Sequence, residues 1–259
     1  MPDTAFDDLF ERFQRKIYGD NKGRIREEVV AYYLDSLLAQ IKPDTSRVQC
    51  ADLGGGLGQV THTLLARGYR VDYCDLSPKM AAAAERDTTP ELRRNARFFH
   101  GPLQSTLNAE YQFVHCQAVL EWLEEPMQGL QHIARHVQRG AHLMLIFYNA
   151  ASIVFRNLIR GNLYAAQRDI RGDGKGLTPI NPLHCETVFE TLSALDFTVE
   201  RWFGVRTFSD YQEKPAREQL SLPDLVSAEL AFSERDPYRA MARYIGVIAR
   251  RNENSQPAH

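Results

Sequence analysis

Apolar residues recur at helical spacing twice near the start of the chain. Phe6, Leu9, Phe10, Phe13 and Ile17 form one stripe, and Val29, Val30, Tyr33, Leu34, Leu37 and Leu38 form another. They predict two amphipathic helices, broken at Gly19 to Gly23, that make an N-terminal helical cap over residues 1–42. From Arg47 the texture changes. VQCADL, YRVDYCD, ARFFH, YQFVHCQ and HLMLIFY read as strands, and helical stretches stand between them at Gln59 to Arg67, Pro78 to Arg86 and Pro126 to Val137. Strands alternating with helices predict a doubly wound, parallel α/β sheet. Runs as apolar as LMLIF suit strands covered on both faces.

After Tyr148 the pattern loosens. A helix is expected from Ile153 to Tyr164, followed by an Arg-, Gly- and Asp-rich stretch from Arg168 to Lys175 and the breaker TPINP. A helix from Glu186 to Leu195, the long strand FTVERWFGVRTF, a helix from Pro223 to Phe232 and the strand YIGVIARR complete the pattern. The expectation is one domain over residues 1–251, with a seven-stranded, mostly parallel sheet and helices on both faces. Residues 150–184 and 208–240 read as insertions on the substrate side, and residues 252–259 as a disordered tail.

Composition narrows the partners. The net charge of −2 over 259 residues creates no global field for nucleic acid, so an RNA partner would need a local basic patch. The apolar runs are too short to span a bilayer, so no membrane association is expected. Asp3, Asp7, Asp8 and Glu11 leave no room for the basic and apolar regions of a signal peptide, and a cytoplasmic protein is expected. Cys50, Cys74 and Cys116 fall in predicted strands and Cys185 near a helix start. They read as free thiols without zinc-ligand or redox spacing, and no metal is expected.

The densest chemical signal is Asp52-Leu53-Gly54-Gly55-Gly56-Leu57-Gly58, between a strand and a helix. Glycines there let the backbone turn sharply and approach a ligand. A dinucleotide loop needs G-x-G-x-x-G, but Gln59 stands at its third glycine position. The acid Asp52 would repel a pyrophosphate and suits a ligand carrying an ammonium and a sulfonium. Asp75 ends the second strand about 20 residues past the loop, where an acid can accept from ribose hydroxyls. Leu103 and Gln104 follow the third strand, where an adenine ring would lie, and Gln117 ends the fourth.

The loop and its acids resemble those of class I S-adenosylmethionine-dependent methyltransferases, which are Rossmann-like. FDDLFERFQRKIYG, KGRIR, LGGGLGQ, CDLSPKM, AVLEWLEEP, FYNA, GVRTFSDY and PYRAMARYIGVIAR carry a narrower resemblance over nearly the whole chain. They are similar to the bacterial tRNA 5-carboxymethoxyuridine methyltransferases, which esterify the carboxylate of a modified wobble uridine. The resemblance implies S-adenosylmethionine as cofactor, with contacts at Arg26, Gly54, Gly55, Asp75, Leu103, Gln104 and Gln117; Asp52 and Gly56 join them from the loop. It also implies tRNA, held at its anticodon loop, as partner.

The implied chemistry requires no general base. A carboxylate with an ordinary pKa of about 4 is already anionic at neutral pH and can attack the methyl group directly. Catalysis then rests on positioning and desolvation. No catalytic residue is assigned; Arg206 is the first candidate to position the substrate carboxylate, followed by Arg243 with Tyr244, and by Tyr148 and Asn149. Arg156, Arg160, Arg168, Arg171 and Lys175 form a locally basic segment suited to RNA. Two alternatives stand beside this reading: a small-molecule carboxyl or oxygen methyltransferase, and a non-catalytic cofactor-binding partner of another protein.

Overall fold

Seven strands form one sheet in the order β3-β2-β1-β4-β5-β7-β6. The computed structural model describes residues 21–41, 48–168, 178–213, 215 and 219–253. The strands are β1 (Gln49–Leu53), β2 (Arg70–Asp75), β3 (Ala96–His100), β4 (Tyr111–Gln117), β5 (Val137–Tyr148), β6 (Phe197–Val205) and β7 (Tyr244–Arg251). β1 to β5 pair in parallel, and only β7 runs against its neighbours. The strand order reverses between β1 and β4, and ligands of such sheets sit beyond the strand ends at that point.

The longer helices are α1 (Asn21–Leu38), α2 (Gln59–Ala66), α3 (Pro78–Arg86), α4 (Pro126–Arg135), α5 (Ala150–Ile159), α6 (Cys185–Ala194) and α7 (Leu222–Phe232). They divide between the two faces. α4 and α6 bury Leu130, Ile133, Val188 and Leu192 on one face, and α1, α2 and α7 bury Val29, Leu37, Leu64 and Leu225 on the other. The second predicted N-terminal stripe is thus the inner face of α1. Its Tyr33 stacks on Phe203 of β6, with ring planes 11° apart. Each fully buried large side chain of this kind contributes about 1.5–3 kcal/mol. The first predicted helix, the basic positions Arg171 and Lys175, and most of the tail lie outside the described residues.

Local chemistry sets several boundaries. α3 starts where Ser77 accepts from the Met80 amide and Pro78 takes the first helical position. All four cysteines are free. Two expectations need correction. The helix expected over 153–164 is split, because Gly161 takes a positive φ of 72° between α5 and a short turn at Leu163–Gln167. The strand expected over 197–208 stops at Val205, so Arg206 is not an exposed strand residue. Arg206 adopts φ 59°, and the amides of Thr207 and Ser209 then donate to the buried carboxylate of Glu229 on α7 instead of to a strand. A side-chain acceptor has replaced the ladder.

Candidate active site

The glycine loop is held from below by two carboxylates that perform different tasks. Asp52 is 1% exposed, and its Oδ2 accepts from the Thr61 amide at 3.0 Å and the Thr61 hydroxyl at 2.6 Å. Its Oδ1 lies 2.9 Å from His115 Nδ1 on the adjacent strand. Asp75 Oδ2 accepts from the Gly56 amide at 3.0 Å, and Oδ1 from the Ser77 amide at 2.8 Å. Tyr73 donates from below to the Gly56 carbonyl at 2.6 Å. Gly54, Gly56 and Gly58 all take positive φ. A Cβ on Gly54 would stand 2.1 Å from Val119 Cγ2, and one on Gly55 2.4 Å from Tyr73 Cε2. The glycines therefore serve close packing within the loop as well as approach to a ligand.

Above this loop lies a cavity of about 400 Å3, within the usual range of small-molecule sites. Arg26, Asp52, Gly54, Gly55, Gly56, Asp75, Leu103 and Gln117 all line it, whereas Gln104 is exposed and outside it. Gln104 sits on the outer side of the short helical turn at Leu103–Thr106, which turns Leu103 inward. The remaining lining reaches Glu121, Trp122, Tyr148 and Tyr244. Buried Arg26 Nε, His115 Nε2 and Glu121 Oε2 find no partner among the described residues. The residues fit S-adenosylmethionine on that observation. Arg26 offers unused donors for a ligand carboxylate, Asp75 an acid for a ribose, and the glycines bare backbone. Glu121 is fully buried and its carboxyl is pushed up to about 8 by burial, against the opposing hydrogen bond it accepts from the Tyr148 amide.

Beyond Tyr148 the chemistry changes from backbone to charge. β5, β6 and β7 come into register at one edge, with Tyr148 opposite Tyr244 and Tyr244 opposite Val205. The turn after Val205 delivers Asp210, which is 7% exposed. Arg206 Nη2 donates to its carboxylate, Arg243 Nε does so at 2.9 Å, and Lys22 Nζ lies at 2.9 Å. Burial alone would raise the Asp210 pKa, but these three cations hold it well below the ordinary carboxylate value. Arg243 also donates through Nη1 to the Tyr148 hydroxyl at 2.5 Å. Lys22 comes from KGRIR, Tyr148 from FYNA, Arg206 and Asp210 from GVRTFSDY, and Arg243 from the last motif. Four segments far apart in the chain thus meet around one carboxylate.

Known proteins resemble this chain in sequence and in fold. The family described as "Methyltransferase domain" matches residues 51–143. The tRNA 5-carboxymethoxyuridine methyltransferase of Escherichia coli K12 is 32% identical over 98% of this chain and 98% of its own length, as is that of strain O157:H7. The chain belongs to the tRNA 5-carboxymethoxyuridine methyltransferase family. In fold it is similar to magnesium protoporphyrin IX methyltransferase from Synechocystis PCC 6803, crystallised with S-adenosylhomocysteine. That likeness has a TM-score of 0.64 at 18% identity and covers 95% of this chain and 96% of the other. An S-adenosylmethionine-dependent methyltransferase from Mesorhizobium loti gives a TM-score of 0.56 at 16% identity, covering 91% and 100%.

Within this member of the methyltransferase family, the expected substrate-side residues separate into distinct roles. Tyr148 and Tyr244 line the cavity and meet edge to face, with ring centroids 5.2 Å apart. Arg206 and Arg243 stand behind them, tied to Asp210. Asn149 is committed to the scaffold. Its Oδ1 caps α5 at the Ala151 amide, and its Nδ2 donates to the carbonyls of Ala240 and Ala242 at 2.8 and 2.9 Å. Three participants escaped sequence reasoning. Lys22 and Asp210 lay inside motifs quoted only for resemblance, and nothing local says that they meet. His115 left a trace: a titratable residue in the middle of the strand YQFVHCQ, directly opposite Asp52 in the register.

Proposed function

We propose that this chain uses S-adenosylmethionine to methylate the carboxylate of 5-carboxymethoxyuridine at the tRNA wobble position, producing the methyl ester in the cytoplasm. The observation that carries this reading is the convergence of Lys22, Arg206 and Arg243 on Asp210, joined to the cavity wall through the bond from Arg243 to Tyr148. The motifs distinctive of the family build the acceptor side, and that side carries excess positive charge suited to an anionic acceptor.

When bound, S-adenosylmethionine supplies a methyl group on a positively charged sulfur. Arg26, Asp75 and the glycine loop would hold its amino-acid and ribose ends. That methyl group would pass to the acceptor carboxylate, which is already anionic at neutral pH. No proton moves, so the protein needs no general base. Its task is to align the carboxylate and exclude water. Asp210 offsets part of the cationic field, which keeps the acceptor oxygen from being bound so tightly that its nucleophilicity is lost.

Exposed residues past α5 support RNA docking. Tyr164 is 63% exposed, with the Arg168 guanidinium 4.5 Å above its ring, and Arg160 is exposed beside them. Such pairs stack on unpaired bases and hold phosphates. Mass spectrometry of nucleosides from ester-free tRNA, incubated with the protein and S-adenosylmethionine, tests the reading. A gain of one methyl group on 5-carboxymethoxyuridine is expected. An unchanged nucleoside profile with cofactor demonstrably bound would overturn it in favour of a small carboxylic acid acceptor.

A further inference from the structure

Arg156 is the cation on the acceptor side that the arrangement around Asp210 leaves unexplained. It lies on α5, the helix that leaves the end of β5 directly after Tyr148 and Asn149. Its side chain is half-buried, and its Nε is buried without a hydrogen-bond partner among the described residues. α5 is fixed at this place. Phe155 meets Tyr211 edge to face at 5.0 Å, and Tyr211 donates to the Met241 carbonyl at 2.6 Å, next along the chain from Asp210.

Leaving a buried guanidinium N–H without a partner is costly unless something compensates it. Asp210 cannot serve Arg156 well, because Arg206, Arg243 and Lys22 already occupy its oxygens. Burial first, and next repulsion from Arg243, lower the Arg156 pKa. That repulsion acts more strongly on it than the attraction of Asp210. Among the described residues, three cations contact Asp210 and a fourth, Arg156, lies within its electrostatic reach, and the Tyr148 hydroxyl joins Arg243 to the cavity wall. A desolvated cluster with this imbalance is an anion site whose anion arrives from outside.

We propose that Arg156, with Arg243 and the Tyr148 hydroxyl, seats the carboxylate of the acceptor, so that the substrate supplies the second negative charge of the cluster. This rests on the carboxyl-methyltransferase reading above and assigns Arg156 a different role from a contact to RNA phosphates. It also makes the site selective. A neutral wobble substituent of similar shape would leave Arg156 uncompensated.

The test compares binding of two tRNAs that differ only at the wobble base, one carrying 5-carboxymethoxyuridine and the other the neutral 5-methoxyuridine. Affinities are measured with S-adenosylhomocysteine present, so that no turnover occurs. The unaltered protein is expected to prefer the carboxylate-bearing tRNA by at least about tenfold, the size of a charge-assisted hydrogen bond. Arg156→Gln is expected to remove that preference while leaving the affinities for methoxy-tRNA and S-adenosylhomocysteine unchanged; Arg156→Lys is expected to retain part of it. Equal losses for both tRNAs in Arg156→Gln would make Arg156 a general RNA contact and overturn the proposal, as would an undiminished preference. Methylation of the carboxylate tRNA without any preference in the unaltered protein would overturn the anion seat alone. Absence of both methylation and preference would overturn the function from which it starts.

Discussion

The two halves of the cavity are built by opposite means. The donor half, at the ends of β1, β2 and β4, is made of backbone and of hydrogen bonds that mostly stay within the first β–α–β unit. Asp52 reaches Thr61, Asp75 reaches Gly56, and Tyr73 reaches Gly56. The acceptor half, at the ends of β5, β6 and β7, is made of charged side chains brought from remote segments, with Lys22 and Arg243 meeting at Asp210 and Arg243 reaching on to Tyr148. A ligand common to many enzymes can be held by a reusable loop. A particular acceptor needs side chains chosen for it, and these can come from anywhere that reaches the same sheet edge.

This contrast predicts that the halves fail differently. Asp210→Asn is expected to have the largest effect, because it leaves Arg206 and Arg243 buried without their counter-charge. Removing one partner of a buried ion pair typically costs about 3–5 kcal/mol. Denaturant titration should show that loss, and the folded fraction should retain cofactor affinity while transferring no methyl group. Retained methyl transfer would break the division between the halves.

Glu121, which faces both halves, sharpens the contrast through pH. Its folded pKa of about 8 lies above its ordinary value of 4.5, so the folded protein keeps a proton that the unfolded chain releases between those values. Stability is therefore expected to fall as pH rises through that window and to level off above it, with a slope of up to about 1.4 kcal/mol per pH unit. Glu121→Gln should flatten the slope, read as urea midpoints at about pH 5, 6.5 and 8. An identical slope in the variant would mean that another group carries it.

The smallest expected effect belongs to the donor loop. In Gly54→Ala the new Cβ meets Val119 at 2.1 Å in a backbone with φ 67°. Overpacking of this kind costs about 1–3 kcal/mol, and cofactor affinity should fall at least about tenfold by calorimetry. Binding of tRNA should remain, since the acceptor half is untouched.

Legibility in the sequence followed the same line. The sheet, α3 and the glycine loop could be read because period, capping and turn chemistry are local. Pro78 after Ser77 marks a helix start, and DLGGGLG marks a strand-to-helix turn. The end of β6 was misplaced because its terminator, Glu229, belongs to a separate helix, 22 and 20 residues from the amides of Thr207 and Ser209 that donate to it. Asn149 looked like a substrate ligand because it follows a strand end, yet its amide is consumed by α5 and the carbonyls of residues 240 and 242. Gln104 was placed on the right turn but on the outward side of it.

The sequence by itself determined the order of strands and helices, the apolar faces that bury them, and the loop and acid at the donor site. All of these depend on residues close together in the chain. Only the tertiary structure decided that Lys22, Arg206, Arg243 and Asp210 form one cluster, and that Arg156 stands near it with its Nε unpartnered among the described residues. Charge pairing depends on distance in space and on exclusion of water, and neither is recorded in the spacing of residues along a chain.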